Sequence, residues 1–280
     1  MHKINLTPEM RSRRLALCFI DLIGSTAFVQ RAGALKAARW LQYHDRLTRS
    51  LIHRHQGREI DRSDGFLLSF ERISNALEFA LEYQAKIPLK TRLQARIGLH
   101  LGDVIEVTQH ELEIMGGAKP IELEGIAKNT AARIMSLCGP QQILLSHEAY
   151  QALRFKNHNP EIRLELMGLY SLKGISAPQR VYAAGSSTQA LTPPQGHSKA
   201  LRLGGPKKVK AHLRHLRFME KVKWVILRLA LIALIVLAGF TLKGLLNPAF
   251  LNFFDIDHPP WNYPLKLKEL INEPLQPPQP

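Results

Sequence analysis

Cysteine is scarce in this 280-residue chain: Cys18 and Cys138 are the only two, they have no CxxC spacing, and they sit in apolar or helical surroundings. A disulfide framework and a cysteine-built zinc site are thereby excluded, leaving two buried thiols suited to a reducing compartment. No internal repeat is present. Acidic residues are deficient in one place. The formal charge is +15, and residues 191–230 supply more than half of it, with ten Lys/Arg against the single acid Glu220. A basic excess gathered in one short segment beside an apolar run is not a stripe across a folded domain, so nucleic acid is not expected as a partner. After Arg11, Arg13 and Arg14 the apolar stretch stops at Asp21, too short for a signal peptide and without a small-residue cleavage site, so export of the first domain is not expected.

One long hydrophobic run stands at the other end. Val225–Leu246, entered from Trp224, is apolar except for Arg228, Thr241 and Lys243. About 20 such residues cross the hydrocarbon core of a bilayer, and the two cations lie near the ends, where they can snorkel. Residues 224–246 are therefore expected to form one transmembrane helix. The basic cluster precedes it, and only Lys266 and Lys268 follow it, which places the N-terminal side in the cytoplasm. Residues 186–223 read as a basic linker and 247–280 as a proline-rich tail with no convincing core.

The rest has the patterning of an α+β domain over residues 1–185. Residues 15–20 are all apolar and read as a buried strand that ends at Asp21 and a Gly24 turn. A long amphipathic helix is expected from Ala27 to Gln56, capped by Thr26, then a hairpin around Ser63-Asp64 and a helix from Ser74. Strands follow at 96–101 and 104–107 around a Gly102-Asp103 turn, then a helix from Gly125 to Leu137 and a strand at 142–146. The order is that of a ferredoxin-like βαββαβ core.

Three clusters carry chemistry. Asp21 alone reads as a turn or capping residue, and Asp64 alone as the Asp of a common Asp-Gly hairpin. Together they are two strand-edge carboxylates, enough for hard divalent cations that prefer one or two carboxylates plus substrate phosphates. Asn129 and Arg133 lie one helical turn apart and offer an orienting amide and a fork of donors for phosphate oxygens.

FIDLIGST at 19–26, SDGFLLSF at 63–70, ARIGLHLGDV at 95–104 and GIAKNTAARI at 125–134 resemble, in order and spacing, the catalytic domain of class III nucleotide cyclases over residues 12–184. The resemblance implies that Asp21 and Asp64, with the Leu22 carbonyl, hold two Mg²⁺ or Mn²⁺ ions. It further implies that Asn129 orients the ribose, that Arg133 meets the α-phosphate, and that Gly24, Ser25 and Thr26 open a helix whose free N–H groups face the β and γ phosphates. Glu122 falls at the purine-reading position, where a carboxylate accepts from the adenine amino group. A homodimer with two shared sites is implied, with ATP as substrate and GTP as the alternative. The chain departs from the family at Glu59-Ile60-Asp61-Arg62-Ser63-Asp64, which is one residue short and has no purine-reading lysine; Arg62 is the substitute expected there. The triphosphate lysine has no secure match either, because Ile175 follows Lys173-Gly174.

The leading expectation is thus a bacterial-type adenylate cyclase, single-pass in the inner membrane, with its catalytic domain cytoplasmic and its tail periplasmic. The competing reading is a cyclase-like module that binds nucleotide, dimerises and signals without turnover.

Overall fold

The computed structural model describes residues 9–63, 65–91, 93–153 and 160–245. The chain divides into two units, 1–212 and 213–280. The first is built on one mixed sheet, which begins with β1 (Glu9–Ile23), α1 (Ser25–Ala32), α2 (Ala34–Arg54), β2 (Gly57–Arg62), β3 (Gly65–Phe70), α3 (Ile73–Thr91) and β4 (Gln94–Thr108). Strands β2-β3-β1-β4 lie side by side in that order, all antiparallel, the arrangement of a βαββαβ core. Next come α4 (Glu111–Met115), β5 (Ile121–Glu124), α5 (Ile126–Leu137), β6 (Ile143–Leu145) and α6 (His147–Leu153). Strand β5 pairs antiparallel with the distal half of β4, and β6 pairs parallel with its proximal half. Strands β7 (Arg163–Leu172), β8 (Gln179–Gly185) and β9 (Ala200–Gly204) extend the sheet as β6-β8-β7-β9.

Strand alternation sorts β1 between two cores. Leu15 and Leu17, with Phe19 beside them, pack with Val104, Leu123, Ala127 and Ala131 beneath α5. Cys18 and Ile20 face the other way, toward α2 and α3, where the rings of His44, Phe66, Phe79 and Tyr83 meet and His44 Nε2 lies 2.7 Å from the Tyr83 hydroxyl. Asp21 has the parity of Leu15 and Leu17 and therefore belongs to the α5 face. Both cysteines are buried and free. Helix α5 lies flush on β4 because residue 98 is glycine: a Cβ there would stand 2.4 Å from the Met135 nitrogen.

Several expectations are corrected. The helix expected from Ala27 to Gln56 is two helices, broken at Gly33, whose φ of 80° no helix continues. Helix α1 starts at Ser25, with Gly24 rather than Thr26 at its N-cap. Gly102-Asp103 is no turn; these residues pair with Leu15 and Arg14, because the fifteen-residue β1 backs β4 along its whole length. The linker expected from residue 186 does not begin there. Its first part packs on the sheet: β9 pairs with β7, and Leu191 and Ala200 are buried with Ile134, Leu137 and Leu172. Polar composition concealed this segment because it contributes only a few apolar side chains to a core that others build.

Helix α7 (Pro206–Leu245) begins in the first unit, where Val209 is buried, and supplies the described part of the second. Among the described residues no helix is long and apolar enough to cross a membrane. The span expected at 224–246 runs on into residue 246, and the tail 247–280 lies wholly outside the described residues.

Two expected outcomes follow from these contacts. A fragment ending at residue 190 loses Leu191 and β9, and burial of one leucine stabilises by about 1.5–3 kcal/mol. Its melting temperature should lie roughly 3–12 °C below that of a fragment ending at 212, at about 2–4 °C per kcal/mol, as read by circular dichroism. Glu82 on α3 is the second case. Lys86 reaches it at 2.5 Å, His55 Nε2 lies 2.6 Å away and Arg54 also contacts it. Hydrogen bonding from Lys86, then from His55, outweighs burial and lowers its carboxyl from the ordinary 4.5 to about 2. A depressed carboxylate contributes stability above its unfolded pKa, so this contribution is present above pH 4.5 and disappears as pH falls toward 2. Denaturant titration from pH 5 to 3 should show a shallower loss of stability in Glu82→Gln than in the parent.

Candidate active site

A cavity of about 280 Å³ opens beside α5, with an apolar floor of Phe19, Ile60, Leu67, Ile121 and Leu123. Its polar rim is Asp61 of β2, Lys119 of the loop before β5, Glu122 and Glu124 of β5, and Lys128 and Asn129 of α5. Lys128 Nζ donates to Glu124 Oε1, at the end of β5, at 2.8 Å. Lys119 Nζ reaches across to Asp61 Oδ1 at 2.5 Å. Glu122 stands opposite Val107 in the β4–β5 ladder, which brings it to the same cavity as Asn129.

A second cavity, of about 160 Å³, adjoins the first and shares Phe19, Asp61 and Leu67 with it. Asp21 opens onto it, near Ser63, Gly65 and Met135. Asp21 sits inside β1 rather than beyond its end, opposite Gly65 of β3 on one side and Arg96 of β4 on the other. Arg96 donates to it through Nε at 2.7 Å and Nη2 at 2.6 Å. Both bonds end on Oδ2, so Oδ1 is left toward the cavity among the described residues. A partly exposed carboxylate oxygen of this kind is a fitting ligand for a hard divalent cation. Leu22 is buried between its neighbours in the ladder. Asp64 lies outside the described residues, one position before the Gly65 that pairs with Asp21.

Of the other expected residues, Gly24 adopts φ 70°, ψ 22° and leads into α1, whose first turn starts at Ser25 and Thr26 without a side-chain cap. The first N–H groups of that helix are therefore unspent within it. Arg133 donates from Nε to the Lys173 carbonyl at 3.3 Å and lines neither cavity. Arg62 does not occupy the base-reading place. It donates to Asp45 at 3.0 and 3.2 Å and lies 5.0 Å over the Phe66 ring, on the α2 side of the hairpin. Burial would raise the Asp45 carboxyl, but bonds from His44 and Arg62 outweigh it and hold it below its ordinary range.

Sequence reasoning missed Arg96, Asp61 and Lys119. Arg96 had a signal, a cation set between the apolar Ala95 and Ile97 of β4. Lys119 had none, because it lies in a loop 58 positions from the residue it binds.

The Asp21–Arg96 pair is partly solvent-exposed, with 25% and 33% of the two side chains accessible, and such pairs contribute about 1 kcal/mol or less. Asp21→Asn is therefore expected to move the melting temperature by no more than about 4 °C. A larger fall in a thermal scan would make Asp21 a structural residue.

Comparison with known proteins bears on this site. Residues 8–184 match the family model described as the adenylate and guanylate cyclase catalytic domain. Among curated proteins, the chain is 31% identical over 111 residues to the receptor-type adenylate cyclase GRESAG 4.1 of Trypanosoma brucei brucei. That match covers 40% of this chain and 8% of the relative, so the chain spans a small part of that protein's length. The fold resembles the adenylyl cyclase CyaB from P. aeruginosa, with TM-score 0.57, 18% identity, and coverage of 65% of this chain and 99% of that one. It also resembles the guanylate cyclase domain of RhGC from Catenaria anguillulae in complex with GTP, with TM-score 0.54, 19% identity, and coverage of 62% and 97%.

Proposed function

This chain belongs to the adenylate and guanylate cyclase catalytic domain family, and we propose that it converts ATP to 3′,5′-cyclic AMP and pyrophosphate as a membrane-anchored homodimer. The observation that carries this reading is that the chain presents both halves of a nucleotide site, Asp21 on one cavity and Glu122 with Asn129 on another. The first is suited to a metal-bound triphosphate and the second to a nucleoside.

Two Mg²⁺ or Mn²⁺ ions, bound by Asp21 and Asp64 with the Leu22 carbonyl, would supply charge neutralisation for the triphosphate and acidify the ribose 3′-hydroxyl. The 3′-oxygen loses its proton to solvent and forms a bond to the α-phosphorus. The bond from that phosphorus to the bridging oxygen breaks, and pyrophosphate departs with the electron pair. Asn129 orients the ribose, and Arg133 donates to the α-phosphate oxygens as charge spreads over them, the electrostatic role that dominates phosphoryl transfer. Gly24, Ser25 and Thr26 open α1 toward the β and γ phosphates. Glu122 accepts from the adenine amino group.

Among the described residues, Arg133 lines neither the cavity of Asp21 nor that of Asn129 in its own chain. That supports a site completed by a second copy, each subunit giving the metal ligands to one site and Asn129 and Arg133 to the other. For the anchor, the support is an exposed apolar surface on α7, where Leu229, Leu231, Ile232, Leu234, Ile235 and Leu237 are each more than half accessible. A basic stretch precedes it. The reading is one pass through the inner membrane, with the cyclase domain in the cytoplasm and the tail in the periplasm.

The full chain in membranes should form cyclic AMP from ATP with Mn²⁺ or Mg²⁺. Asp21→Ala and Arg133→Ala should each cost at least about 100-fold in rate. Co-expressed, the two variants should regain about a quarter of parental activity, because half of random dimers are mixed and each mixed dimer has one intact site. Turnover surviving Asp21→Ala, or no recovery on co-expression, defeats the two-metal and shared-site assignments respectively. Recovery of the chain in a carbonate-extractable fraction defeats the anchor.

A further inference from the structure

We propose that Lys119, steadied by Asp61, reads the purine base in the larger cavity with Glu122 as its acceptor counterpart, a specificity role that rests on the cyclase reading above. The two residues meet because β2 is irregular. Its pairing with β3 slips between Glu59 and Asp61, so that Glu59 faces Leu68 and Asp61 faces Leu67. A bulge re-aims the side chains that follow it, and here both Ile60 and Asp61 line the cavity, where strict alternation would present only one of them. The loop between α4 and β5 carries Lys119 to the same wall from the opposite side.

The hydrogen-bond inventory assigns the roles. Asp61 uses Oδ1 on Lys119 at 2.5 Å and Oδ2 on the Ser63 hydroxyl at 3.4 Å, so both of its oxygens are engaged within the chain. A lysine ammonium has three donors, and one of them is spent on Asp61. Glu122 has no partner among the described residues, unlike its neighbour Glu124, which holds Lys128. With Asn129 assigned to the ribose in the reading above and Lys128 bonded to Glu124, the carboxylate of Glu122 and the remaining donors of Lys119 are the groups offered to a base, above an apolar floor that suits a flat ring. The adenine edge presents an amino donor beside a ring-nitrogen acceptor and matches that pair one to one. Guanine presents a carbonyl beside two adjacent donors and must take both oxygens of Glu122 at once. Stability does not account for the Lys119–Asp61 bond, since Lys119 is 51% and Asp61 33% accessible, and a pair so placed contributes about 1 kcal/mol or less. Asp61 is a positioning residue in this scheme, and Lys119 touches the base.

The test uses the full chain in detergent and two readouts. One is calorimetric binding of 3′-deoxy-ATP and 3′-deoxy-GTP, which lack the attacking hydroxyl; the other is the initial rate of cyclisation of ATP and GTP. The parent should prefer the adenine nucleotide in both. Lys119→Met should weaken 3′-deoxy-ATP binding by about 10- to 100-fold, the range for one lost charged hydrogen bond, and bring the adenine-to-guanine ratio near one. Lys119→Arg should retain most of the preference, and Asp61→Asn should raise the KM for ATP while leaving kcat within about threefold. An unchanged binding ratio in Lys119→Met overturns the proposal, as does a parental preference for guanine. Base-selective binding that depends on Lys119 in a chain without turnover upholds it and removes the cyclase reading instead.

Discussion

The fifteen consecutive residue pairs that join β1 to β4 decide where the other elements go. A one-residue slip in that ladder would exchange the two faces of β1 and carry Asp21 away from α5 toward the ring cluster of His44, Phe66 and Tyr83. The same pairing puts Arg96 directly across from Asp21, so the carboxylate has a fixed guanidinium on one oxygen and open space at the other. With β4 held along its length, its distal half pairs with β5 and its proximal half with β6, and α5, between those two strands in sequence, lies over β1 and β4.

Close contact of α5 with the sheet then makes the cavity. Gly98 lets the helix backbone approach β4, and Ala127, Ala131 and Ala132 keep the helix face thin. Thin packing of this kind leaves a recess beside the helix rather than a filled core. Phe19, Leu67 and Leu123 give the recess a dry floor, and the rim collects charge from β2, β5, α5 and the loop before β5. Few of the polar groups there contribute much to stability, since most remain partly accessible. Partly accessible polar groups around a dry floor are what a binding site requires.

Much of this was legible along the chain. The apolar run ending at Asp21, the hairpin at 63–70 and the α5 segment with Asn129 and Arg133 each had a local signature, and periodicity located the main helices. What escaped depended on contacts between distant segments. The bulge that turns Asp61 inward has no composition signal, and Lys119 came from a loop with no pattern at all. Arg62 was the nearest cation in sequence to the base-reading place, yet Asp45 and the Phe66 ring hold it on the other side of the hairpin. The segment after residue 186 looked like a linker because strand β9 is short and set among Ser, Thr, Gln, Pro, Gly and Lys residues; it is ordered by an edge of the sheet that is itself a tertiary feature.

The sequence by itself determined the family, the βαββαβ order and the identities of the carboxylate, amide and guanidinium groups, because these rest on residue type and on periods of two and 3.6 that each segment carries alone. The tertiary structure decided which of those groups share a cavity, that Arg96 holds one oxygen of Asp21, and that Lys119 and Asp61 join Glu122 at the rim of one cavity. Those outcomes depend on ladder register, on one bulge and on a helix resting against a glycine, and each of these is settled by how two distant segments pack rather than by either segment's own residues.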